Sequence, residues 1–495
     1  MRLSAPRHAL GLVLAATLAW AAGACDRRDE SAVRVIVIGD TPTLADPTAR
    51  PLGAGAAVLA ENVAQGLVRF DARGQIEPGL AERWNVSDDG LSYIFRLTTA
   101  EWPSGRKITA EQVARMLRRA IAPSSANPLE DTLGAVDEIV AMTDRVLEIR
   151  LKAPRPNLLQ LLAQPELALV REDQGGGPFR LATEAGADGE LRLRRTIPAP
   201  DGDENRREEV LVAGATAKRA VERFAAGEAD LVLGGTFADL PFARSVALKR
   251  RSLQFDPVAG LFGLAVARKT GPLEDPQLRQ LLAEAIDRDA LIAAFEVPGL
   301  APRATVLQGG LEGLGDIPPP PWIAAPLGER RLTLAAAADR LFGATERPVL
   351  RIDLPAEPGA DVLLARLAAD WAVLGVRVER WEKGTAADLR LIDEVAPSTS
   401  PAWFVRQFRC GEATLCDAET DALIDAARAA PVAAQRAALL AEAGRRIDQL
   451  HAFIAIAAPI RWSLVSPRIE GFAGNRFGRH TLTGLTDKLN RERAE

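Results

Sequence analysis

Apolar and polar positions change period along this chain in a readable order. Val33, Val35 and Val37, set against Arg34, Ile36 and Ile38, predict a first strand that ends at Gly39. Residues 61–113 then predict a helix, a turn, a short helix, two strands joined at Asp89-Gly90, and a capped helix. Asp-Gly between extended runs is a strong hairpin signal. Thr109 followed by Gln112 forms a capping box, after which Val113, Met116, Leu117 and Ala120 recur at helical spacing. Residues 145–151 alternate as a strand, with a helix expected over 157–162. Residues 217–227 form an amphipathic helix stopped by Gly227. Asp256-Pro257 precedes an apolar run over 258–266. Asp275-Pro276 caps a helix whose buried face is Leu278, Leu281, Leu282, Ala285 and Ile286. Val362, Leu363, Leu367, Trp371 and Leu374 mark a helix ended by Gly375, with a strand over 376–381 next. A long helix over 436–450 precedes the closing strand region, 453–489.

Several of these segments carry ordered motifs. Gln75-Ile76-Glu77-Pro78-Gly79-Leu80-Ala81-Glu82-Arg83-Trp84 fits "P-x-L-A-E-x-W", and Asp89-Gly90-Leu91-Ser92-Tyr93-Ile94-Phe95-Arg96-Leu97 fits "D-G-x-x-Y-x-F-x-L-R" up to its last position, where Thr98 stands for the arginine. Trp102-Pro103-Ser104-Gly105 leads into Thr109-Ala110-Glu111-Gln112-Val113. Gly175-Gly176-Gly177-Pro178-Phe179-Arg180-Leu181, Glu228-Ala229-Asp230 and Ala285-Ile286-Asp287-Arg288 add three distant matches. Together they resemble the extracytoplasmic solute-binding proteins of ABC importers, family 5, which includes dipeptide- and oligopeptide-binding proteins. The resemblance spans about residues 33–485. It implies an α/β fold of the type II periplasmic binding protein kind, two lobes built from three domains with mixed sheets. The expected division is a signal peptide over 1–24, a tether over 25–32, and a discontinuous domain I over 33–56, 174–256 and 461–495. Domain II is expected over 57–173, shorter than the family's, and domain III over 257–460.

The same resemblance implies where a ligand lies: against the loop after residue 39, the crossing after Pro257, and a domain III segment ending "A-D-x-x-D/E-P-x-x-F". There the family's aspartate pairs with a peptide's α-ammonium. In this chain the segment reads Ala396-Pro397-Ser398-Thr399-Ser400-Pro401-Ala402-Trp403-Phe404, with Pro397 at the aspartate position and Ser400 at the second acid. Leu129 stands where a ligand-facing tyrosine would be, and Tyr93, the single tyrosine, belongs to the domain II hairpin. The candidate ligand residues are therefore Asp40, Thr41, Leu129, Asp393, Glu394 and Trp403. Asp393 and Glu394 either replace the lost charge or sit at a strand end in solvent. Trp403 either lines the cleft or packs in the core. Asp40 and Thr41 either bond ligand or cap their loop. Arg406 either pairs with a ligand carboxylate or is a solvated helix arginine, the second being the expectation.

The N-terminus changes the picture of location. Arg2 and Arg7 precede an uncharged run over 9–24, and Ala22-Gly23-Ala24-Cys25 looks like a lipobox in which Cys25 is lipidated after cleavage. An ordinary cleaved signal with an incidental Cys25 is the alternative. Cys410 and Cys416 suit a local disulfide in an oxidising compartment, and no histidine lies at zinc-finger spacing from them. Removing residues 1–24 takes the formal charge from −5 to −7. With no basic run, nothing points to nucleic acid.

Catalytic constellations are missing. The three histidines are isolated, and there is no G-x-S-x-G elbow or P-loop. Gly53-Ala54-Gly55 follows a segment unsuited to a dinucleotide turn. The expectation is a non-enzymatic, monomeric lipoprotein on the extracytoplasmic (periplasmic) face of the membrane, with no cofactor and no metal. It binds a small solute, peptide-like or otherwise polar, and delivers it to an ABC permease. The alternative is a binding-lobe scaffold that no longer transports and acts as an envelope sensor or interaction protein.

Overall fold

The computed structural model describes residues 32–184, 186, 189–198 and 205–489. The signal segment, Cys25 and the tether to residue 31 lie outside the described residues. The first strand, Val33–Ile38, is central in a seven-stranded sheet and runs parallel to both neighbours, Arg206–Ala215 and Leu231–Thr236. Its near-continuous apolar sequence follows from burial on both faces. Val33, Val35 and Val37 join Val58, Leu59, Leu482 and Leu485, while Ile36 joins Val221 and Phe224 on the opposite side. Arg461–Val465 and Leu253–Phe255 extend this sheet on one edge, Leu191–Ile197 and Arg180–Leu181 on the other.

A second, five-stranded sheet is built on Gly260–Val266, buried at every position. This is the apolar run read after Asp256-Pro257. It pairs antiparallel with Leu389–Val395 and Phe453–Ala457. The chain thus passes between the two sheets twice, at 256–259 and 458–460. Their cores are continuous there: Phe237 of the first meets Phe262 and Phe295 of the second edge-on, at 4.9 and 5.9 Å. Gly359 lets a helix of the second lie on the backbone of Phe237 and Ala238, since a Cβ would come 2.1 Å from the Phe237 carbonyl oxygen.

The third body has its own core. Ala81–Val86, Ser92–Leu97, Val146–Leu151 and Val136–Thr143 form an antiparallel sheet covered by the helix Ala110–Ala120. The C-terminal segment enters this core through Phe477, stacked on Phe70 at 4.5 Å.

Local expectations and structure differ in four places. The short helix expected after Pro78 is instead the strand Ala81–Val86, because pairing with Ser92–Leu97 places Trp84 opposite Phe95 and overrides local preference. The helix expected from 61 begins earlier, as Ala54–Leu59, and passes into a π turn over Ala60–Ala64; Val58, Leu59 and Val63 pack on the first sheet. Only half of the capping box forms: Thr109 accepts from the Gln112 amide, while the Gln112 side chain accepts from Trp102 Nε1 at 3.0 Å. His480 is not isolated, since its Nε2 lies 3.1 Å from Asp256 Oδ2 and its ring packs on Phe472. The Asp89-Gly90 turn forms as read, with Gly90 at φ +68° and Asp89 accepting from the Leu91 amide.

Candidate functional site

A cleft of about 820 Å³ opens where the three bodies meet. One wall comes from the third body: Asn127 to Glu130, Gln164 and Glu166. The facing wall is Asp393 to Pro397, Trp403, Arg406 and Glu412, from the five-stranded sheet and the helix after it. Leu52, Arg461 and Phe477 to Arg479 close the floor.

The structure therefore brings together Leu129, Asp393, Glu394 and Trp403. Leu129 is buried, its amide held by the Asn127 side chain at 2.9 Å. Trp403 does both things expected of it: 7% exposed, it packs edge-on against Phe404 and shows one edge to the cleft. Asp393 is not a solvated strand end. Arg461 donates to its carboxylate at 2.8 Å and to its carbonyl at 2.9 Å, and the net effect of burial against that arginine leaves the carboxyl raised. Glu394, on the next position of the strand, points into open cleft; burial by the surrounding walls raises its carboxyl too.

Asp40 and Thr41 are exposed and do not line the cleft. Pro42 packs beneath the helix start at Gly55, which draws the loop away, and Leu52 further along reaches the cleft instead. Arg406 is no solvated arginine. It donates to Thr132 at 2.8 Å across the junction, and burial, with Arg428 and Arg409 nearby, lowers its pKa to about 10.

Residues that sequence reasoning did not single out complete the site. Arg479 donates to Glu166 at 2.9 Å and to Gln164 at 3.2 Å, with Glu61 3.8 Å away. Burial works against the Arg479 charge, but Glu166 and Glu61 overcome it and raise its pKa. Burial also lifts the Glu61 carboxyl to about 8, against the pull of Arg479. Asp256, just before the crossing, accepts from the Asn475 amide and holds His480, and so shapes the loop that presents Arg479. No period or spacing in the sequence marks these partners, which lie more than 200 residues apart.

Pro397 explains the absent aspartate. Its carbonyl accepts from Gln164 at 2.7 Å, Ser398 Oγ from Asn157 at 2.8 Å, and Gln160 accepts from the Thr399 amide at 2.9 Å. The segment that would face a ligand's ammonium ties the two walls to each other. Cys410 and Cys416 are disulfide-bonded, and the closed loop carries Glu412 at the cleft rim. A second hollow of about 820 Å³ lies on the first sheet's side, among Arg34, Asp230, Lys249 and Arg468. Asp230 is already held there by Arg468 at 3.0 Å and the Arg34 amide at 2.9 Å, which gives that hollow a structural explanation.

The chain is similar to known proteins in sequence and in fold. The chain is 26% identical over 494 residues to the probable di/tripeptide-binding protein 5 of Pseudomonas aeruginosa, covering 85% of this chain and 89% of that one. Its fold is that of Haemophilus influenzae OppA in complex with RPPGFSPFR, at TM-score 0.75 and 18% identity over 92% of this chain and 98% of the other. The murein tripeptide binding protein MppA of Escherichia coli superposes equally well, at 0.75 and 18% over 91% and 97%. Residues 75–387, well over half of the chain, match the family described as bacterial extracellular solute-binding proteins, family 5 middle. The protein belongs to the family 5 extracellular solute-binding proteins.

Proposed function

We propose that this solute-binding protein captures short peptides in the inter-lobe cleft and hands them, unaltered, to an ABC permease. The observation that carries this is the cleft itself: a hollow of about 820 Å³ bounded by all three bodies, with hydrogen-bonding groups on two walls and the Trp403 edge and Phe477 for apolar groups. The relative of Pseudomonas aeruginosa is named for di- and tripeptides, which supports a peptide as the guest. Leu129, Asp393, Glu394 and Trp403 are the ligand-facing residues in this reading, and lobe closure is the whole of its work. The relatives named above are binding proteins and lend no support to the sensor alternative. We further read Cys25 as a lipid anchor on the extracytoplasmic face of the membrane, holding a monomer with the three domains set out above.

Native mass spectrometry of protein purified from its source should find a retained peptide. A peptide mixture should raise the melting temperature, because ligand at about 100 times its Kd stabilises by about 2.7 kcal/mol. A retained guest of other chemistry, together with no change in melting temperature from any peptide, would overturn the peptide reading. Cys25→Ser should move the protein from the membrane fraction to the soluble one.

A further inference from the structure

The charges in the cleft do not balance. All three of its arginines are engaged: Arg461 with Asp393, Arg479 with Glu166 and Glu61, and Arg406 with Thr132. Among the described residues, the carboxylates of Glu130, Glu394 and Glu412 have neither a hydrogen bond nor an ion pair. They come from three separate elements and converge on one hollow. Arg406 feels Glu130 and Glu412, and Glu394 feels Arg390 and Arg461, but none of these arginines makes an ion pair with the three acids. On the wall opposite Glu394 and Glu412, Glu166 accepts from Arg479 through Oε1 and leaves Oε2 buried without a donor. A guest with a carboxylate would meet only cations already engaged, among the described residues of the cleft, and its desolvation would go uncompensated. A guest with ammonium or guanidinium groups would find acceptors that closure strengthens by excluding water.

We propose that the natural solute is a cation, a short peptide bearing lysine or arginine side chains, selected by Glu394, Glu412 and Glu130. The choice of a peptide rests on the function proposed above; the charge does not. Glu394 reads the guest from the sheet wall of the cleft, beside the Asp393–Arg461 pair. Glu412 reads it at the rim, where the Cys410–Cys416 loop fixes its position. The stem of a long basic side chain lies along the Trp403 edge and Phe477 while its head reaches a carboxylate.

Titration calorimetry on the full chain tests this with four probes: a lysine-containing tripeptide amide, a trialanine amide, a glutamate-containing tripeptide, and a linear diamine of matched length. The basic peptide should bind at least about tenfold tighter than the neutral one, with the acidic peptide weakest. Raising the salt concentration should narrow that gap. Glu394→Gln and Glu412→Gln should each lower the basic-to-neutral ratio about fivefold, with melting curves run on each variant to verify folding. Neutral or acidic peptides binding as tightly as the basic one would overturn the charge inference and leave the peptide reading standing. Binding of the diamine with no peptide bound would do the reverse. Binding of none of the four would overturn both.

Discussion

Glu61 illustrates how one side chain can couple the site to pH. It sits where Arg479 is shared between two carboxyls, and burial holds its pKa near 8 instead of the usual 4.5. Between those values the folded chain keeps a proton that the unfolded chain has lost. Stability therefore falls as pH rises from about 4.5 to about 8 and is level outside that window. Asp448, whose carboxyl burial raises to about 7 while it accepts from the Val306 amide, adds a loss of the same sign that ends sooner. Glu61→Gln removes the first contribution only. Chemical denaturation across this range should show the variant gaining on the natural chain as pH rises. The gain should reach a few kcal/mol, because each pH unit crossed inside the window is worth about 1.4 kcal/mol. Parallel pH profiles for the two proteins would mean that Glu61 titrates normally.

At the scale of elements, the polar ladder over Asn157, Gln160 and Gln164 joins the walls of the cleft. Asn157 precedes the helix Leu158–Leu162 but makes no side-chain cap bond, and its amide NH2 donates to Ser398 Oγ. A net value of about 1 kcal/mol per hydrogen bond makes Asn157→Ala with Gln160→Ala weaken closure by about 2 kcal/mol, and ligand affinity by up to about thirtyfold. Gln164 is left intact because it also holds Arg479. Small-angle scattering should show a larger radius of gyration for the ligand-free double variant; an unchanged radius and Kd would make the ladder incidental. The helix over 157–162 was legible from its own residues, and so were the Asp275 cap, the Asp89-Gly90 turn and the Gly375 stop, since each is a local device. The strand Ala81–Val86 was not, because what makes it a strand is its partner across the turn. The cleft was half legible: motif positions found Leu129, Asp393, Glu394 and Trp403. Arg461 and Arg479 escaped, and Asp256 was legible only as the start of the crossing, because distant pairing, not any local pattern, gives them their place.

Across the whole molecule, two kinds of junction divide the labour. The seven- and five-stranded sheets share one apolar core around Phe237, Phe262 and Phe295, and two chain crossings bridge them. The third body meets the five-stranded sheet's side through polar contacts such as Asn157–Ser398 and Arg406–Thr132, which water can replace when the walls part. Opening should accordingly separate the polar faces and leave the shared core packed. Hydrogen exchange with and without a bound peptide would read this directly. Protection should rise over 157–167, 396–407 and 475–480, and the strand Gly260–Val266 should exchange equally slowly in both states. The two hollows of equal volume make the result decisive. Ligand protection concentrated around Arg34, 224–230 and 466–468 would place the guest on the far side of the first sheet and remove the cleft from the mechanism.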